Sequence, residues 1–172
     1  MDQLAVNMDK FSGKTDDREI VISRVLNAPQ KLVFKAWTDP AHLINWWGPN
    51  GFTNTFHEID IRPGGVWRFT MHGPNGMDFP NLIQFINIVE SERIEYLHGS
   101  GEDDDEEQFK VTVTFEKEGN KTRLTMKSIF PSAAIRDMVV REYGAIEGGN
   151  QTIDRLEQEL INMQTTLNHL QQ

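Results

Sequence analysis

The segment IEGGNQTIDRLEQELINMQTTLNHL, residues 146–170, decides the fold of this chain. Its apolar residues and one glycine recur at alternating steps of three and four: Ile146, Gly149, Ile153, Leu156, Leu160, Met163, Leu167 and Leu170. This spacing places them on one face of an α-helix whose other face is polar. The pattern therefore predicts a long C-terminal helix that covers an apolar surface. A coiled coil has a similar spacing, but the rest of the chain supplies such a surface in cis.

The residues before this segment predict a series of β-strands. Runs rich in β-branched and aromatic residues are separated by turn signals such as Pro63-Gly64-Gly65 and Gly73-Pro74-Asn75-Gly76. The predicted strands are 19–26, 52–61, 66–72, 81–89, 94–98, 109–117 and 121–130. From the second strand onward they are joined by short turns without helices, which indicates an antiparallel meander.

Two short helices, 30–38 and 40–45, are predicted after the first strand. They are separate because Asp39 precedes Pro40 and is pushed out of the helical region. The order of elements predicts an α+β helix-grip fold, a curved sheet of six to seven antiparallel strands around the long C-terminal helix. Residues 1–17 mix polar residues without an apolar block. We expect them to form a flexible or edge-lying arm before a single domain at 18–172.

The composition narrows the possible partners. The chain has 172 residues, with 17 lysines and arginines against 26 acidic residues, so its formal net charge is −9. A negative surface repels nucleic acids and anionic lipids, and no run approaches the roughly 18 apolar residues of a membrane span. The chain has no cysteine, which excludes disulfides and thiolate metal sites and suits a reducing compartment. We expect a cytoplasmic monomer or homodimer, without nucleic-acid binding or membrane insertion.

The sequence contains no catalytic constellation. His57 and Glu58 are adjacent on a predicted strand, so their side chains point to opposite faces. Glu58 and Asp60 share a face, and we expect them to be solvated, paired with Arg62 or Arg68, rather than to form a catalytic pair. Metal-binding motifs, a serine nucleophile elbow and a phosphate-binding glycine loop are all missing. We therefore predict no catalytic residue, no metal ligand and no cofactor, and binding is favoured over an enzymatic activity.

A series of short strings resembles one known family, the homologues of the activator of the heat-shock-protein-90 ATPase, within the START-like (SRPBCC) superfamily. The strings cover about residues 19–160 in the family's order. They are Arg24 before Ala28-Pro29, VFKAWTDP (33–40), WWGP (46–49), DIRPGGVWR (60–68), GPNG (73–76), Glu92-Arg93, TRLT (122–125), and Gly148-Gly149 before DRL (154–156).

The resemblance implies a deep, largely apolar cavity between the sheet and the long helix. In the superfamily such cavities hold lipids, polyketides, hormones and other apolar small molecules. The resemblance also implies two alternatives, which the residues leave open. One is a co-chaperone-like activator of the heat-shock-protein-90 ATPase, acting by surface contacts. The other is a cavity enzyme, a cyclase or hydrolase, which would need Glu58, Asp60 or His57 inside.

The candidate ligand-binding residues combine the aromatic inner face of the third strand with the start of the long helix. Trp67, Phe69 and Met71 occupy alternate positions and so share one face of that strand. Gly148 and Gly149 are unfavourable in a helix, and either close packing or room for a ligand would explain them. The full predicted set is Trp47, Phe56, Trp67, Phe69, Met71, Phe85, Ile146, Gly149, Asn150 and Ile153.

The acidic run Glu102–Glu107 predicts a solvated hairpin loop. It lacks the alternating ligands and the turn glycine of a calcium-binding loop. A basic protein partner is the binding role that its charge allows.

Overall fold

The computed structural model describes residues 8–170, so residues 1–7 of the predicted arm lie outside it. Seven strands and four α-helices follow two short 3-10 turns, Asp9–Phe11 and Asp16–Arg18. The strands are β1 (Glu19–Leu26), β2 (Thr53–Ile59), β3 (Val66–His72), β4 (Asp78–Val89), β5 (Arg93–Gly99), β6 (Phe109–Glu118) and β7 (Lys121–Ile129). The helices are α1 (Gln30–Thr38), α2 (Pro40–Trp46), α3 (Ala133–Tyr143) and α4 (Ala145–Leu170).

The strands form one antiparallel sheet in the order β1-β7-β6-β5-β4-β3-β2. Its register is interrupted between Phe56 and Glu58 in β2 and between Phe85 and Asn87 in β4. Such irregularities bend a strand and increase its twist. The predicted helix-grip fold is confirmed, with seven strands and two short helices after β1.

The core lies between one face of the sheet and α4. Ile153, Leu156 and Leu160 of the helix are almost fully buried there. They pack with alternate residues of the strands, and the prediction that Trp67 and Phe69 face inward is confirmed, since both are buried. Met163 is the last buried residue of the apolar stripe on α4. Leu167 and Leu170, which follow it, are exposed.

Gly149 lies where α4 closely approaches β1 of the sheet. A Cβ atom built on it would overlap the Cδ1 atom of Ile22 in β1, and one on Gly148 would lie 3.3 Å from Pro49. The helix can approach β1 this closely because position 149 has no side chain. Close packing therefore accounts for the glycine, whose cost in helix propensity is about 1 kcal/mol relative to alanine.

Helix α3 was not predicted from the sequence. Its first turn is capped by Ser132, whose hydroxyl accepts a hydrogen bond from the Ile135 N–H, and it ends at Gly144 in the left-handed region. Val139 is its one buried residue and packs with Ile20 and Phe130. The apolar face is too narrow to give a clear helical period, so the two capping residues were the available signal.

Residues 8–17 lie partly against the outer face of the sheet. Phe11 is buried there with Leu97 and Ile129. Arg18 holds the segment by donating to the carbonyl oxygens of Ser12 and Phe130, at 2.9 and 3.0 Å. None of the helices described between residues 8 and 170 is both long and apolar enough to cross a membrane.

We expect Gly149 and Ile22 to be energetically coupled. Gly149→Ala should gain less than its helix propensity of about 1 kcal/mol, because the new methyl meets Ile22. Ile22→Val removes the overlapping Cδ1 atom, so the same alanine should be more favourable in that background, by about 1 kcal/mol. Urea unfolding of the wild type, both single variants and the double variant measures this coupling. Additivity within about 0.3 kcal/mol would contradict the close-packing explanation.

Candidate ligand-binding interior

Trp47 is the centre of an aromatic cluster between the sheet and the helices. Its ring centroid lies 4.9 Å from that of Trp67, 5.7 Å from Trp37, 5.6 Å from Trp46 and 6.2 Å from Phe69. These rings meet edge to face, the arrangement that aromatic quadrupoles favour. The interior at this point is filled by contacting side chains.

Strand pairing determines how the sheet contributes to this cluster. Trp67 and Phe69 are stacked at 4.2 Å on the inner face of β3, and Phe56 lies opposite Phe69 in β2. Met71 follows on the same face but is only partly buried. A Cβ atom on Gly48 would lie 2.8 Å from the Met71 Cε atom. Gly48 has φ +99°, so the loop after Trp47 takes a path that other residues rarely adopt.

Arg155 holds the loop that carries Trp47. Its Nη1 atom donates to the carbonyl oxygens of Trp47, Gly48 and Pro49 at 3.3, 2.8 and 3.0 Å. Its Nη2 atom donates to the carbonyl of Asn45 at 3.4 Å. Burial lowers the pKa of Arg155, because desolvation disfavours the charged form. One guanidinium on α4 thereby fixes the end of α2 and the position of Trp47.

A polar pair lies on the inner face of the sheet beside the cluster. His98 of β5 is 2.8 Å from Asn81 of β4, between the His98 Nε2 and Asn81 Oδ1 atoms. The Asn81 amide nitrogen donates to the Phe79 carbonyl at 2.9 Å, so its oxygen accepts and His98 Nε2 carries the proton. The His98 ring is 6.3 Å from Trp47 and 6.1 Å from Phe69.

Desolvation keeps the interior neutral at this point. Burial lowers the pKa of His98 to about 4, although the charge of Asp105 acts in the opposite direction. Burial also raises the pKa of Tyr96, two residues earlier on the same face of β5. Neither residue was among the predicted site residues. The alternation of Ile94, Tyr96 and His98 in a strand with an apolar face was the signal that could have found them.

Three polar atoms of this region are buried without a hydrogen-bond partner among residues 8–170. They are the indole Nε1 atoms of Trp37 and Trp67 and the Oδ1 atom of Asn54. The Asn54 amide nitrogen donates to the Trp47 carbonyl at 2.8 Å. By contrast, the indole N–H of Trp46 donates to the Ala36 carbonyl at 3.0 Å. Unsatisfied buried polar atoms are rare in folded proteins and call for an explanation.

The structure separates the predicted ligand-binding residues into two groups. Trp47, Phe56, Trp67, Phe69 and Met71 come together in the aromatic cluster.

The other group lies along the sheet and α4. Phe85 lies beside Tyr96, with ring centroids 6.2 Å apart, and Ile153 is fully buried on α4. Ile146, Gly149 and Asn150 lie in the first turns of α4, where Gly149 faces Ile22 of β1. The Asn150 Oδ1 atom accepts from Arg24 of β1, and Ile146 is 39% exposed.

The ionisable residues considered for catalysis lie outside the interior. His57, Glu58 and Asp60 are all exposed. Asp60 pairs with Arg62 at 2.7 Å, and His57 Nε2 lies 2.8 Å from the Thr70 hydroxyl. The three side chains that a cavity enzyme would need inside are therefore in solvent.

Two concave regions lie elsewhere on the described surface. An open cleft of about 900 Å³ is bordered by the acidic loop, by Lys10 and by Gln84. A groove of about 230 Å³ between α2 and α4 is lined by Asn45, Arg155, Gln158, Glu159 and Asn162. Within residues 8–170, no group of three or more histidine and carboxylate side chains is placed to hold a metal ion.

Comparison with known proteins supports one family. The family model "Activator of Hsp90 ATPase homolog 1-like protein" matches residues 27–160. A protein of Arthrobacter aurescens is similar, with 27% identity, a TM-score of 0.78, and coverage of 88% of this chain and 90% of that chain. A protein of Mycobacterium smegmatis has 25% identity, the same TM-score, and coverage of 88% and 96%. No curated protein matches the sequence significantly.

Removing the Arg155 guanidinium should destabilise the fold strongly. Arg155→Met keeps the aliphatic stem but leaves the carbonyls of the Trp47 loop without their donor, at a cost of roughly 3 kcal/mol. Urea unfolding measures the change. Arg141→Met is the matched control, because Arg141 is exposed on α3 and its loss should cost less than about 0.5 kcal/mol. Equal effects of the two substitutions would contradict the role assigned to Arg155.

His98 should make stability depend on pH below neutrality. Its folded pKa of about 4 lies below the ordinary value of 6.5, so the unfolded chain takes up the proton first as the pH falls. The contribution is complete above about pH 6.5 and declines toward pH 4. Between pH 7 and 5 the wild type should lose roughly 2 kcal/mol more than His98→Gln in urea unfolding.

NMR supplies the direct control for this prediction. The C2 proton of His98 in the folded wild type should not titrate between pH 7 and 5. A midpoint for His98 near 6.5 would contradict its desolvation.

Proposed function

The chain belongs to the family of activator of Hsp90 ATPase homolog 1-like proteins, and from this premise we propose that it binds an apolar small molecule without catalysing its conversion. The binding site is the interior between the sheet and α4, beside Trp47. The observation that supports this most directly is the set of buried polar atoms without partners in an otherwise aromatic interior. Apolar surroundings with a few unsatisfied polar groups are typical of small-molecule sites.

Ligand entry requires movement, because the rings of the cluster are in contact. Met71 and the loop after Trp47 are the parts we propose to move. Met71 is unbranched and only partly buried, so it can change rotamer at low cost. Gly48 and Gly51 both have positive φ and flank the bend of the loop. The binding would take place in the cytoplasm, as the cysteine-free composition suggests.

The neutral dye N-phenyl-1-naphthylamine tests the proposal. We expect saturable binding at one site, seen as an increase in dye emission. Met71→Glu places a charge at the edge of the cluster and should weaken binding at least tenfold. Met77→Glu is the matched control, since Met77 is 55% exposed between β3 and β4 and should have no effect. Circular dichroism verifies that both variants fold.

Two outcomes would contradict the proposal. One is the absence of saturable dye binding to the folded wild type. The other is an equal effect of both glutamate variants. If the dye binds as expected, native mass spectrometry of protein purified from its own host identifies the natural ligand.

A second candidate function is activation of a chaperone ATPase, which the name of the family suggests. The acidic loop is the feature that favours it, because five of its six carboxylates border the open cleft. Asp105 orders this loop by accepting from the backbone N–H groups of Ser100 and Glu107, at 2.8 and 3.0 Å. Addition of the chain to a purified heat-shock-protein-90 ATPase tests this candidate. Stimulation that disappears with added salt would support it.

A cavity enzyme has less support. Two ionisable side chains of the described interior are His98, whose pKa of about 4 makes it a weak base at neutral pH, and Tyr96, whose raised pKa keeps it protonated. The residues that the sequence offered for catalysis are exposed.

A further inference from the structure

The unsatisfied atoms of the interior require both a hydrogen-bond acceptor and a donor. The indole N–H of Trp67 is a donor with no acceptor, and Trp67 is 2% exposed. The Asn54 Oδ1 atom is an acceptor with no donor. The His98 Nδ1 atom also keeps a lone pair, because the Nε2 proton goes to Asn81, but unlike the other two atoms it is not fully buried.

These groups all lie near Trp47. The Trp67 and His98 rings both lie within 6.3 Å of Trp47. Asn54 binds the backbone carbonyl of Trp47. A ligand that replaces or displaces the Trp47 side chain therefore comes within reach of a donor and of acceptors together.

Two cations next to the core already have partners among residues 8–170. Arg155 donates to four backbone carbonyls, and Arg24 pairs with Asp154 and Glu157. The buried carboxylate of Glu159 is paired with His42 at 2.9 Å and with Asn45 at 3.0 Å. A charged ligand group would be desolvated without a counter-charge, which is strongly unfavourable.

We infer that the ligand is a neutral molecule with an apolar, ring-sized body and a hydroxyl-type group that accepts from Trp67 Nε1–H and donates to an interior acceptor. This inference rests on the proposed function and specifies its ligand class. A hydroxyl group fits because it donates and accepts at once without carrying charge. A hydrocarbon leaves the buried groups unsatisfied, and a carboxylate adds an uncompensated charge.

Three probes that share the naphthalene ring system test the inference: naphthalene, 2-naphthol and 2-naphthoate. Isothermal titration calorimetry should show that 2-naphthol binds about fivefold more tightly than naphthalene, as expected for one net hydrogen bond. It should bind at least tenfold more tightly than the anion 2-naphthoate. In ¹H–¹⁵N spectra the indole N–H resonance of Trp67 should move downfield with 2-naphthol and not with naphthalene.

Two variants locate the effect. Trp67→Phe removes the unsatisfied N–H, so its preference for 2-naphthol over naphthalene should disappear. Trp46→Phe is the matched control, because that N–H already has the Ala36 carbonyl as its partner and the preference should persist. Assignment of the Trp67 resonance in the wild type keeps the test valid if either variant fails to fold.

The outcomes separate this inference from the proposed function. Equal binding of naphthalene and 2-naphthol, or tighter binding of 2-naphthoate, overturns the neutral hydroxylated ligand and leaves apolar binding intact. Failure of all three probes to bind the folded wild type overturns both.

Discussion

The burial of one face of α4 against the inner face of the sheet is the constraint on which the rest of the structure depends. Ile153 and Leu156 are fully buried there. The burial of each side chain stabilises the fold by on the order of 2 kcal/mol. The sheet must bend to enclose a helix of this length, and register irregularities like those in β2 and β4 bend a strand. Gly149 lets the helix lie against β1 without a side chain between them.

The same helix also builds the candidate site. Arg155 extends from α4 to the loop after α2, and its hydrogen bonds to three successive carbonyls hold Trp47 in the aromatic cluster. The geometry of the core and that of the site are therefore coupled. A change in the position of α4 alters the place of Trp47, and a ligand that displaces Trp47 acts on the contacts that hold α4.

The interior combines a large aromatic surface with a few neutral polar groups. Desolvation accounts for their neutrality, because the same burial that lowers the pKa of His98 raises that of Tyr96. The charged groups of Arg24, Arg155 and Glu159 next to the core are already engaged in ion pairs and hydrogen bonds. On the proposed function, such an interior would discriminate between ligands by hydrogen bonding and shape.

The sequence by itself determined the elements, since their signals are local. The three- and four-residue spacing of 146–170 predicted α4, alternation predicted β3 at Val66–His72, and Asp39-Pro40 separated α1 from α2. The inward side of β3 also followed from alternation, as Trp67 and Phe69 show. Helix α3 was not predicted, because its apolar face is too narrow to give a clear helical period.

Only the tertiary structure decided which residues meet, because those contacts join positions far apart in the chain. Arg155 reaches Trp47 across 108 positions, and the His98–Asn81 pair depends on the register of β4 against β5. The sequence allowed two explanations for Gly149, close packing and room for a ligand. The position of Ile22 beside it favours close packing. Burial, which sets the pKa of His98 and leaves the Trp67 N–H without a partner, is a property of the assembled core. No local sequence pattern predicts this burial.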